Sequence, residues 1–104
     1  MKKYLEFNSS DSINLTTFED FIKFSLKRPC KRSTNNRADS LLVTFDKMEG
    51  KTQWIYQAIV DQIWTFAKDH GCKIVDSAYN YRGGYARVGK GASSYRFCVI
   101  KEEN

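Results

Sequence analysis

Across residues 52–70 apolar side chains recur at Ile55, Ile59, Ile63 and Phe66, with Ala58 and Ala67 widening the stripe. This spacing predicts an α-helix with one buried face. Lys68 and His70 fall in its last turn, and Gly71 is placed to take the left-handed conformation that ends it. A one-faced helix of this length must be covered by another layer. Strand-like segments stand on both sides: Leu41-Leu42-Val43-Thr44-Phe45 before it, and residues 72–82 and 95–101 after it.

The first forty residues repeat the theme. Leu5 and Phe7 alternate with Glu6, as in a short strand over residues 3–7, and residues 8–14 form a polar loop. Thr16-Thr17-Phe18-Glu19 predicts a capping box in which Thr16 and Glu19 satisfy each other's amides. Phe18, Phe21, Ile22 and Leu26 then follow at helical spacing, Lys27 and Arg28 suit the helix C-terminus, and Pro29 stops it. Residues 30–39 read as a basic loop. The order is β-α-β-α-β-β, which right-handed crossovers would fold into an α/β (α+β) two-layer sandwich. Its expected sheet is mixed and four-stranded, with two helices on one face and a long glycine-rich C-terminal hairpin.

At 104 residues the chain suits a single domain over residues 1–104 with one core. An apolar content of 41% excludes disorder, and no apolar run is long enough to span a bilayer. The opening Met1 to Phe7 turns polar too soon for a secretory signal. Reduced thiols in a cytoplasmic protein are therefore expected for Cys30, Cys72 and Cys98. His70 and Cys72 lack zinc-site spacing, so neither metal nor cofactor is expected.

The formal charge of +5 is unevenly spread. Between Asp20 and Asp39 lie Lys23, Lys27, Arg28, Lys31, Arg32 and Arg37 with no acid. Between Asp76 and Glu102 lie Arg82, Arg87, Lys90, Arg96 and Lys101, again with no acid. The rest of the chain is net acidic, so positive potential is concentrated on part of the surface. The second basic segment also holds four of the six glycines and four of the six tyrosines, within residues 79–96. Cations interleaved with aromatics on a glycine backbone suit phosphates and unpaired bases. Tyr85, between Gly84 and Arg87, is the tyrosine best placed to stack, whereas Tyr79 and Tyr95 suit cross-strand packing.

Catalytic sets are missing. Gly84 to Lys90 matches the first seven positions of a phosphate-binding loop, but the eighth is Gly91, where Ser or Thr must hold magnesium. A strand, not a helix, follows it. His70 suits a helix end, and Ser93-Ser94 near Lys90 has no visible oxyanion hole.

The β-α-β-α-β-β order ending in a basic glycine-containing hairpin resembles the Alba family of small chromatin and RNA-binding proteins. It is similar also to the C-terminal domain of translation initiation factor three. Phe66-Ala67-Lys68-Asp69-His70-Gly71, Asp76-Ser77 and residues 95–101 resemble the small single-strand-binding domain named for an Arg-x3-His motif. These resemblances imply a fold that binds nucleic acid and assign no individual residue.

The expected function is a non-enzymatic nucleic-acid-binding module, with RNA or single strands favoured. Its candidate contacts are Lys27, Arg28, Lys31, Arg32, Arg37, Arg82, Tyr85, Arg87, Lys90 and Arg96. The alternative is a small inhibitor or adaptor, of phage or mobile-element type, docking on an acidic protein surface. Trp54 on the long helix is the candidate partner contact, and its face or a free edge strand would suit a homodimer.

Overall fold

The computed structural model describes residues 3–10, 12–34, 38–44, 52–75 and 94–101; of residue 3 and residues 52–56 it describes the backbone alone. In chain order the elements are β1 (Lys3–Tyr4), α1 (Leu15–Asp20), β2 (Cys30–Thr34), β3 (Asp39–Thr44), α2 (Thr52–Asp69), β4 (Cys72–Val75) and β5 (Ser94–Lys101). A π-helical turn, Phe21–Ser25, prolongs α1. The result is a small α+β fold with an open antiparallel sheet. Among the described residues no helix is long and apolar enough to cross a membrane.

The cap of α1 differs from the expected one. Asn14 is the N-cap: its Oδ1 accepts from the Thr17 amide at 3.2 Å, and Thr17 Oγ1 accepts from the Asn14 amide at 3.3 Å. Thr16, two residues too late for that position, donates instead to the Phe7 carbonyl. Glu19 turns into the protein, as described below. Asn14→Ala is expected to cost about 1 kcal/mol, measured by urea unfolding.

The helical segment ends before the basic pair. Lys27 lies in the left-handed region at φ 54°, which lets the Arg28 amide reach back 3.1 Å to the Ile22 carbonyl ahead of Pro29. The chain then enters β2, where the sequence predicts a loop. Ser33 and Thr34 favour loops locally, but pairing with β3 overrides them. The register runs from Cys30 opposite Val43 to Thr34 opposite Asp39.

In α2 the buried side chains are Ile59, Val60, Ile63 and Ala67, with Phe66 packed beside them. Ala58 is exposed, because the stripe widens on its opposite flank, at Val60. The helix stops as the sequence predicts: Gly71 has φ 68° and donates to the Lys68 carbonyl at 3.2 Å. His70 serves this end, its Nδ1 standing 2.7 Å from the Phe66 carbonyl oxygen.

β5 organises the sheet. β3 pairs along its first half, from Thr44 opposite Ser94 to Leu41 opposite Phe97. β4 pairs along its second half, from Val75 opposite Cys98 to Cys72 opposite Lys101. β1 meets Ile100 and Lys101 as well, so β1 and β4 lie on opposite edges of β5. Among the described residues the five strands pair in a wholly antiparallel sheet, not the mixed one expected. β1, β3 and β4 do share one direction, but among the described residues they meet only through β5. The antiparallel pairing of β4 with β5 holds, while the glycine-rich segment between them, residues 76–93, lies outside the described residues.

Candidate nucleic-acid interface

Directly paired residues in an antiparallel sheet project to the same face, and neighbours along a strand alternate. The register therefore sorts every strand residue onto one of two faces. Cys30, Leu41, Val43, Cys72, Ile74, Tyr95, Phe97 and Val99 share the first face and one core with Leu15, Phe18, Ile22, Ile59, Val60, Ile63 and Ala67 of the helices. Both helices thus cover this face, as expected. Trp64 of α2 seals it by donating from Nε1 to Tyr95 Oη at 3.0 Å. Tyr95 is wholly buried and stacks near Phe97, so it serves packing.

Arg32 also belongs to the covered face, opposite Leu41. A cation directed at a core requires a counter-charge, and Glu19 of α1, 5% exposed, provides it. Arg32 Nε lies 2.9 and 3.0 Å from the two carboxylate oxygens, and Nη2 lies 2.7 Å from Oε1. Nη2 also reaches Thr16 Oγ1 at 3.2 Å, and the guanidinium lies 4.7 Å from the centre of the Phe7 ring. Hydrogen bonding from Arg32 holds the Glu19 carboxyl below its ordinary range against the opposing effect of burial, and Lys23 adds a smaller pull. Arg32 is therefore a bolt between α1 and β2. Beside it, burial above all pushes the Cys30 thiol up to about 12, which leaves that cysteine unreactive at neutral pH.

The second face has the opposite character. It carries Lys31 and Ser33 of β2, Ser40, Leu42 and Thr44 of β3, and Lys73 and Val75 of β4. Ser94, Arg96, Cys98 and Ile100 of β5 and Tyr4 of β1 complete it. None of these joins the core cluster, although Ser40 and Ile100 are themselves buried, at 2% and 4% exposure. Lys31, Lys73, Arg96 and Tyr4 are exposed, and no carboxylate stands among the strand residues of this face. Lys31, Leu42 and Arg96 form one cross-strand row. Two strand spacings separate its ends, roughly 10 Å. Tyr4, Ile100 and Lys73 form a second row.

The two basic segments of the sequence thus meet at Lys31 and Arg96 on a common face. Arg32 is turned away from it. Lys27 is exposed and Arg28 half-buried beyond α1, outside the strands. Arg37, Arg82, Tyr85, Arg87 and Lys90 lie outside the described residues, as does the side chain of Trp54. Sequence reasoning missed Lys73 and Tyr4. Lys73 between buried Cys72 and Ile74 carried the period-two signal, but Tyr4 stands on a two-residue strand too short to show one. Among the described residues no group of three or more His, Cys, Asp or Glu could hold a metal ion. Comparison with known protein families, with curated proteins and with solved structures found no match.

Proposed function

We propose that the chain is a non-enzymatic nucleic-acid-binding module working through its basic surface. The observation that carries this reading is the outer sheet face, without a carboxylate among its described strand residues, on which Lys31 and Arg96 align. Arg82, Tyr85, Arg87 and Lys90 extend the same chemistry from the glycine-rich segment that links β4 to β5. Lys27 and Arg28 add positive charge beyond α1. Polyanion binding by such a surface is driven by counterion release and weakens with salt.

Fluorescence anisotropy with a labelled 16-nucleotide RNA tests it. Affinity is expected to fall linearly in log–log form between about 50 and 200 mM salt. The Lys31→Ala/Arg96→Ala double variant should bind at least tenfold more weakly. Its salt slope should shrink by about 1.4, or 0.7 for each lost contact with a single strand. Replacing Arg82, Arg87 and Lys90 together by alanine should nearly abolish binding. Wild-type affinity in both variants would sink the proposal.

A second reading, docking on an acidic protein, is favoured by one observation. Phe24 is 75% exposed, an apolar side chain in the same acid-free segment as Lys27. Freshly purified protein separates the readings: co-purifying nucleic acid raises the 260/280 nm absorbance ratio, whereas a clean preparation that captures one defined acidic protein favours the second.

A further inference from the structure

The outer sheet face differs from a general polyanion patch in one respect: its far row begins with an aromatic ring. Tyr4 is 39% exposed and stands beside Ile100, with Lys73 across the same row. Four residues along β5 separate this row from the Lys31–Leu42–Arg96 row, a span of roughly 13 Å. Cations therefore flank half-buried Leu42 and the buried Ile100, and a ring lies at the edge of the face. Duplex DNA or RNA presents phosphates to such a surface but keeps its base faces stacked and hidden. A single strand presents both, phosphates for the cations and an unstacked base for the ring. Among the described residues Lys31, Lys73 and Arg96 form no ion pair within the protein, so their charge is available to a ligand.

We infer that this face is a single-strand platform on which Tyr4 stacks a base, while Lys73, Arg96 and Lys31 hold the backbone around it. The inference rests on the nucleic-acid reading and narrows it to unpaired strands crossing the sheet. It assigns roles to Tyr4 and Lys73, neither of which lies in the two acid-free segments of the sequence. Ring and cation act as a pair. The lysine retains a strand of any sequence, and the ring selects against bases already stacked in a duplex.

The test uses the full chain, a labelled 12-nucleotide oligouridine, and a labelled 12-base-pair RNA duplex. The single strand is expected to bind at least tenfold more tightly than the duplex. Tyr4→Leu should lose at least about fivefold in affinity for the strand, the lower bound of one base–aromatic stack, while Tyr4→Phe retains it. Lys73→Ala should weaken strand binding, whereas Lys68→Ala, an equal charge change on exposed α2, should not. Circular dichroism of each variant confirms folding. Wild-type strand affinity in folded Tyr4→Leu, or duplex binding equal to strand binding, overturns the platform while binding that depends on Lys31 and Arg96 still stands. Failure to bind either probe, with or without capture of an acidic protein, overturns both readings.

Discussion

Arg32→Ala is expected to destabilise the protein by about 2–3 kcal/mol in urea unfolding while Lys31→Ala, one residue away, costs less than about 0.5 kcal/mol. The asymmetry follows from the faces of β2. Removing Arg32 leaves the Glu19 carboxylate, 5% exposed, without the guanidinium that grips both its oxygens. Breaking a fully buried pair costs about 3–5 kcal/mol, and the lower figure here reflects an Arg32 side chain that keeps 41% of its exposure. Lys23, 3.5 Å from Oε2, supplies only part of the lost charge from a solvated position. Lys31→Ala should reverse the pattern, with little effect on folding and, on the proposed function, a clear loss in nucleic-acid binding.

The same pair sets an acid limit. The folded state holds Glu19 below its ordinary carboxyl value of 4.5, so the unfolded chain takes up its proton first as the pH falls. The stabilisation is fully present above the ordinary value and is lost as pH falls through the lowered folded value. Wild-type stability measured from pH 7 to pH 3 should therefore decline below about pH 4.5. In Glu19→Gln this component of the decline should disappear, on a lower baseline. An unchanged acid profile in that variant would show that Glu19 is not the group responsible.

These contacts also explain which parts of the fold can be read from sequence. Helix α2 announces itself because its buried positions hold only apolar residues at regular spacing, and Gly71 marks its end with a conformation that suits few other residues. β2 is hidden because Arg32 occupies an inward position. Period-two reading expects an apolar residue there, and the counter-charge that makes arginine tolerable lies thirteen positions earlier in α1. Glu19 misleads for the matching reason, since a Glu three residues after Thr16 looks like a local cap until its long-range partner is known. Sheet direction follows from pairing order, which local pattern does not carry. The Lys31–Arg96 alignment is likewise a product of register: nothing in either basic segment alone specifies that Leu42 brings them together.

Phe97→Ala should cost about 3–5 kcal/mol, a substantial part of the 5–15 kcal/mol that a domain of this size commands. Phe97 is 1% exposed, opposite Leu41, with its ring centroid 5.6 Å from that of Tyr95. Truncation leaves a cavity bounded by strands on one side and helices on the other, where neither layer can close without distorting the ladder. Arg96→Ala, its neighbour in sequence, removes an exposed side chain from the other face and should change stability by less than about 0.5 kcal/mol. The pair tests the face assignment on which the interface depends. Because Tyr95, Phe97 and Val99 must point to the helices, Arg96, Cys98 and Ile100 must point away, and Lys31 and Tyr4 follow them by register. If Arg96→Ala proved as destabilising as Phe97→Ala, the register of β5 would be wrong and the outer basic face would dissolve with it. If only Phe97→Ala unfolds readily, the same alternation that builds the core also delivers the cations to solvent.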